Sequence, residues 1–196
     1  MIGDGLGAAG PPPNLRIAAT QVLVSLSKDA QTAAFHLWAN ALVGSVFVPR
    51  VARIVLLRAI GMKIGRAQIY PGVSFKTNRI QVGSDAMVNS GTRFDNDAEV
   101  TLGDRVRIGP EVLFCTSTHT IHQDPIMRAG LRVNQPITVE NGAWVGARTV
   151  LLPGSLVGAG TVIAAGSVVT GVCDPNAVYA GVPARKIRDL PGQVKS

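Results

Sequence analysis

Cut every six residues, positions 139–173 read VENGAW, VGARTV, LLPGSL, VGAGTV, IAAGSV and VTGVC. Each piece opens on an apolar residue: Val139, Val145, Leu151, Val157, Ile163 and Val169. The fifth place holds Ala143, Thr149, Ser155, Thr161, Ser167 and Cys173, all small. A short fixed period marks a solenoid, whose units bury their apolar faces only by stacking. One apolar side chain per six points inward, β-branched openings favour extended backbone, and a small residue fits where the chain turns.

The same phase runs back toward the N-terminus. Hexads start at Ile64, Tyr70, Lys76, Val82, Val88 and Phe94, then, after the two extra residues Val100 and Thr101, at Leu102, Ile108 and Phe114. A break follows from about His119 to Pro136. Of these starts only Lys76 is not apolar. Further fifth places include Ser74, Ala86, Thr92, Ala98 and Thr118, with Ile80, Val106 and Val112 larger, and the second place often holds glycine (Gly65, Gly83, Gly103, Gly109, Gly146, Gly158), read as freedom for corner dihedrals. Three hexads make one triangular coil, so about five parallel coils are expected, stacked about 4.8 Å apart. The general rule for parallel crossovers favours right-handed connections.

Before Ile64 the pattern is helical. Residues 1–13, Gly-rich and ending in three prolines, read as a flexible N-terminus, and 14–62 as a helical basic lead. Asn14 would cap a helix through Leu15, Ala18, Ala19, Val22 and Leu26. A second apolar run, Ala33 to Val48, carries His36, Asn40 and Ser45 and is too polar for a membrane span. Arg50 to Ile60 reads as an amphipathic helix with Arg50, Arg53 and Arg58 as its basic residues. It is read first as packed over the next domain and second as lying on an anionic membrane. Residues 63–190 form the coil domain with an arm at 119–136, and 191–196 a tail.

Composition narrows the function. Hydrophobic residues are 46%, which excludes a disordered chain. Aromatics are 5%, which argues against a nucleic-acid module built on base stacking despite a net charge of +7. Residues 1–66 hold seven Lys/Arg against Asp4 and Asp29, so most of the excess sits in the lead. Cys115 and Cys173 make neither a disulfide framework nor a zinc cluster. With no secretory pattern, a cytoplasmic chain is expected.

Several stretches resemble the hexapeptide-repeat acyltransferases, closest to the galactoside, maltose and nodulation O-acetyltransferases and their polysaccharide-modifying relatives. They are 89–97 (NSGTRFDND), 118–122 (THTIH), 136–147 (PITVENGAWVGA), 152–154 (LPG), 165–170 (AGSVVT) and 180–185 (AGVPAR). The resemblance covers about Ile64 to Leu190 and implies a mainly β fold: a left-handed parallel β-helix after an N-terminal helical segment. It also implies a homotrimer whose arms reach a neighbouring subunit. The activity it implies is transfer of an acetyl group from acetyl-CoA, a co-substrate, to a sugar or glycan hydroxyl. Related left-handed β-helices hold zinc on three histidines, but only His119 and His122 lie in the array, so no metal is expected, and no nucleic acid. Peripheral contact of the lead with the inner face of a membrane is a further expectation.

Residue by residue, the resemblance makes His119 the general base, places Asn89 and Asp97 at the acceptor, and packs Trp144 near the thioester. Donor contacts carry over to Ala147, Ala165, Thr170, Gly171, Arg185 and Arg188. Ala147 stands where many sugar members have Ser, and Gly171 where many have Lys, so a hydroxyl contact and a phosphate contact are missing.

The chemistry is coherent. A neutral imidazole suits proton removal from an alcohol near pH 7, a Gly-rich corner such as 144–147 offers amides to an oxyanion, and arginines suit the phosphates of coenzyme A. His122 reads as an exposed arm residue and His36 as a core or interface histidine. Cys115 reads as a wall residue rather than a nucleophile. Asp95 and Asp97 are read as pointing to opposite sides of the chain, one to the cleft and one to solvent. The rival readings are an acyltransferase with another acceptor (serine, an amino-sugar, an antibiotic) or a longer acyl donor, and a non-enzymatic scaffold.

Overall fold

The computed structural model describes residues 15–192. The segment 1–13, the Asn14 cap and residues 193–196 of the tail lie outside the described residues. Contacts divide the chain into two units, at residues 35 and 36. The first is most of helix α1 (Leu15–His36), where Val22, Leu23, Val24 and Leu26 are all exposed.

The second unit begins with a short π-helical turn, Leu37–Leu42, then helix α2 (Arg50–Ala59) and the coil. The coil has three parallel faces. The first stacks Lys63–Ile64, Ile80–Val82, Val100–Leu102, Ile137–Val139, Leu156–Val157 and Val172–Cys173. The second stacks Gln68–Ile69, Met87–Val88, Arg107–Ile108, Trp144–Val145, Val162–Ile163 and Ala177–Ala180, and adds Arg185–Asp189 antiparallel at its end. The third stacks Ser74–Phe75, Arg93–Asp95, Leu113–Cys115, Val150–Leu151 and Val168–Val169.

Six, six and five parallel strands make nearly six turns, where the six-residue phase gives about five. The phase errs at both ends. Ile69 and Phe75, not Tyr70 and Lys76, point inward, which removes the one polar start. At the other end Cys173 is an inward residue rather than a corner residue, and Tyr179 adds one more side. The extra residues at Val100 and Thr101 lengthen a strand: Val100 and Leu102 are both buried, opposite Ile80 and Val82.

Inside, Phe75, Phe94 and Phe114 stack one per turn, with ring centroids 5.2 and 4.6 Å apart. Below them Leu151 and Val169 continue the column. Thr149, Ser155, Thr161 and Ser167 are buried at the corners, each hydroxyl donating to a backbone carbonyl. Thr116, not Thr118, takes that place before the arm.

The second-place glycines serve a different purpose from the one expected. None of the six has a positive φ. A Cβ at Gly83 would lie 2.5 Å from the Asp104 amide nitrogen, and one at Gly146 2.5 Å from that of Ala165, so the next coil leaves no room for it. Left-handed corners sit elsewhere on the same six-residue spacing, at Gly142, Arg148, Gly154, Gly160 and Gly166. Gly83→Ala should therefore push two coils apart, costing about 1–3 kcal/mol by overpacking. Gly142→Ala has open space around its Cβ and should cost only about 1 kcal/mol of backbone strain. Chemical denaturation of the two variants checks the difference.

Helix α2 packs on the first turn through Leu57 and Arg53, 0% and 1% exposed. Arg53 is thus not part of a basic surface. Its guanidinium donates to the carbonyls of Val43 (2.9 Å), Ser45 (2.7 Å), Val48 (2.9 Å) and Ile69 (2.9 Å). Arg58 ties down the carbonyls of Ile64 and Gly65. Arg50 reaches Gln68 and lies over the Tyr70 ring. The exposed side of this region is apolar, with Val46, Phe47, Val51 and Val55.

Candidate active site

The coil sorts the expected site residues onto two of its edges. Where the second face turns into the third, a groove of about 480 Å³ is lined by Asn89, Trp144, Ala147 and Ala165 among others. Trp144 is 56% exposed beside it. Stacking makes the groove: Trp144 pairs with Arg107 above and Val162 below. Asn89 Oδ1 accepts from the next amide, that of Ser90, at 2.9 Å.

The amides on this edge differ in use. Gly109, Gly146 and Gly166 donate to the carbonyls of Val145, Ile163 and Ala147. The N–H groups of Ala147 and Ala165 have no acceptor among the described residues. Two free donors therefore stand one coil apart, about 4.8 Å by strand spacing. The same face continues to the strand Arg185–Asp189. There Lys186 is paired with Asp189 (2.6 Å) and Asp174 (3.4 Å), whereas Arg185 and Arg188 have no ion pair among the described residues.

The other edge, where the third face turns into the first, carries His119 and Asp97, and lower down Thr170 and Gly171. The arm is an antiparallel hairpin, Ser117–Ile121 with Ala129–Asn134, in which His119 lies opposite Arg132. Its apolar residues Ile121, Ile126 and Leu131 are 81–94% exposed. The His119 ring has no hydrogen-bond partner among the described residues. His122 Nδ1 accepts from the Asp124 amide at 3.1 Å and so shapes the arm's tip.

Asp97 is the hub of this edge. Its Oδ2 accepts from Lys76 Nζ (2.7 Å), Ser117 Oγ (2.6 Å) and Arg132. Lys76 Nζ also lies 3.0 Å from Asp95. The expectation that Asp95 and Asp97 point to opposite sides fails, because alternate residues of extended chain share a face. Burial pushes the Asp97 carboxyl up, but hydrogen bonds from Lys76 and Ser117 and the charges of Lys76 and Arg132 outweigh it. They hold the group below the usual carboxylate range. The bond to Asp97 in turn raises Lys76.

A carboxylate depressed by folding stabilises the fold above its unfolded pKa of about 3.9 and loses that effect as pH falls through its folded value. Asp97→Asn should therefore lower Tm at pH 7, and the gap to wild type should close as pH drops below about 4. Melting curves of both proteins across pH check this. A gap that stays constant would mean that Asp97 contributes by shape rather than charge.

Cys115 is half-buried, its thiol 3.3 Å from the Ser117 carbonyl oxygen. Burial pushes the inward Cys173 thiol up to about 11, which leaves it unreactive. Lys76, Ser117 and Arg132 escaped the sequence reading. The signal for Lys76 was present, as the one hexad start that could not face a core.

Comparison with known proteins places the fold. Residues 136–171 match the bacterial transferase hexapeptide (six repeats) model. The galactoside O-acetyltransferase of Escherichia coli (strain K12) is 37% identical over 125 residues, 63% of this chain and 61% of that one. A solved galactoside acetyltransferase in complex with coenzyme A superposes with a TM-score of 0.71 at 30% identity, covering 84% of this chain and 82% of that one.

The chain belongs to the hexapeptide-repeat acyltransferases. Its coil is the left-handed β-helix of that family. A hexapeptide-repeat acetyltransferase of Vibrio cholerae, solved with acetyl coenzyme A, superposes with a TM-score of 0.71 at 28% identity, over 83% of this chain and 91% of that one. The chain spans about 60% of the length of the curated acetyltransferases it matches.

Proposed function

We propose that the protein transfers an acetyl group from acetyl-CoA directly to a sugar hydroxyl of a glycan, glycolipid or precursor. The observation that carries this reading is the groove edge, with an exposed Trp144 beside two acceptorless amides, on the face that ends in Arg185 and Arg188. The relatives named above support the donor and the sugar class.

In the reaction His119 takes the hydroxyl proton as the oxygen bonds to the thioester carbonyl carbon. The amide of Ala147 is the proposed donor to the oxyanion. Collapse breaks the C–S bond, and the proton leaves with the thiolate as coenzyme A. Asn89 and Asp97 orient the acceptor, Trp144, Ala147, Ala165, Thr170 and Gly171 line the donor, and Arg185 and Arg188 face its phosphates. Asp97 Oδ1 makes no hydrogen bond among the described residues and is the oxygen that would meet a sugar hydroxyl. Thiol release from acetyl-CoA against a saccharide panel tests the reading; release no faster than without acceptor would refute it.

His119 and the groove lie on different edges of one prism, so we propose a homotrimer in which each site takes its histidine from one subunit and its groove from the next. The exposed apolar arm supports this. Light scattering should give three chains, and a stable active monomer would contradict it. A cytoplasmic location and peripheral membrane contact belong to the same proposal. No helix among the described residues is long and apolar enough to cross a membrane. The contact face is Phe47, Val51 and Val55, flanked by Arg50, rather than Arg53. Vesicle co-sedimentation that is unchanged by Phe47→Asp would exclude it.

A further inference from the structure

A second cavity, about 470 Å³, opens on the third face beneath the π-helical turn. Its walls include His36, Asn40, Ser74, Lys76, Arg93 and Asp95. Its roof is fixed. Asn40 accepts from the Phe75 amide (2.9 Å) and donates to the Phe75 carbonyl (2.8 Å), acting as a strand would on the open edge of the sheet.

Two features give the cavity a chemistry. The first is Arg93. Outward residues on this face run Ser74, Arg93, Leu113, Val150 and Val168 in register, so Arg93 is the one charge in the column. Its guanidinium makes no hydrogen bond or ion pair among the described residues, and neither does the Ser74 hydroxyl. Asp95, the nearest carboxylate along the strand, is taken by Lys76. The second is position. Lys76 forms part of the cavity wall and also bonds Asp97, so one side chain separates the cavity from the proposed acceptor carboxylate.

We propose that this cavity is an anion subsite of the acceptor site, in which Arg93 holds an acidic group of the saccharide, a carboxylate or a phosphoester, while a hydroxyl is presented at Asp97 and His119. The inference rests on the acetyl-transfer reading and narrows its acceptor to acidic saccharides. Arg is suited to the task because its planar fork grips two oxygens at once, and the neutralised Lys76 leaves its charge uncompensated. The π-helical turn supplies the wall that a bare coil lacks.

The test compares trigalacturonate, its carboxyl-reduced galactose counterpart and galactose 6-phosphate, each with acetyl-CoA, in wild type and Arg93→Gln. One charge-assisted bond predicts that the acids exceed the neutral sugar in kcat/KM by about tenfold or more, mainly through KM. Arg93→Gln should erase that ratio. The carboxylate and phosphate arms show which group is held. A neutral sugar acetylated as well as the acids overturns the subsite and leaves acetyl transfer standing. An equal loss on all acceptors in Arg93→Gln overturns it too, as the mark of a structural role. If no sugar is acetylated, the transfer reading fails, and calorimetric titration of trigalacturonate decides the subsite alone. Binding lost in Arg93→Gln supports it, and absent or unchanged binding overturns it.

Discussion

His119→Ala should lower kcat by at least two orders of magnitude while folding and coenzyme A affinity hold. A positioned general base contributes about 10²–10⁴-fold, and that contribution is what the substitution should remove. Asp97 cannot substitute: three donors hold its Oδ2, and its pKa is depressed. Folding should survive because the exposed imidazole supports no other group. Donor affinity should survive because most of the proposed donor contacts, at Trp144, Ala147, Ala165, Arg185 and Arg188, are made without the imidazole. His122→Ala is the control. It loses a turn-shaping bond at the arm's tip and should cost less than tenfold, a barrier change of about 1.4 kcal/mol. Steady-state rates and circular dichroism on both variants check the claim. Equal losses would move the proton transfer away from His119 alone.

Arg53→Ala should be the most damaging substitution in the lead. It removes one buried guanidinium from four carbonyls, those of Val43, Ser45, Val48 and Ile69, of which Ser45 keeps the Val48 amide as a second donor. A buried acceptor left without its donor costs about 1–3 kcal/mol, and part of that is recovered as water enters. A total of about 3–5 kcal/mol is expected, which for a chain of this size lowers Tm by about 10 °C. Arg53→Lys keeps the charge but has a single ammonium where a fork reaches four oxygens, so it should recover less than half of the loss. Scanning calorimetry checks both. A change within about 2 °C in either direction would mean that the loop 43–48 is held by other contacts.

The coil was legible because its constraint is periodic. A prism with one inward residue per side repeats that demand every six positions, and Val139 to Val169 obey it without exception. The ends were misread because the sides there are five, seven or four residues long: Ile64 to Ile69, Phe75 to Val82, Val169 to Cys173. A fixed phase cannot follow such steps. The six glycines at the second place were found, but their reason was not. Close approach between coils is a three-dimensional fact, and only the stacking shows that a Cβ at Gly83 meets Asp104. Arg53 looked like Arg50 and Arg58 because spacing along a helix does not say which side meets the loop 43–48. Motif residues named Asp97 and His119. The partners that set the charge of Asp97, Lys76 and Arg132, come from one coil earlier and from the far strand of the arm, with no shared pattern in the chain.

Direct acetyl transfer from acetyl-CoA to a saccharide hydroxyl, with His119 as base, is the proposed reaction. Mass spectrometry of the reaction tests it most directly, with acetyl-CoA, an oligosaccharide panel and the wild-type or His119→Ala protein, weighing saccharide and protein together. Saccharide heavier by one acetyl group for each coenzyme A released is expected, with a sharp loss of that product in the variant and protein whose mass does not change. Acetylated protein on Cys115 that decays as product appears, or product formed equally well by His119→Ala, would contradict it.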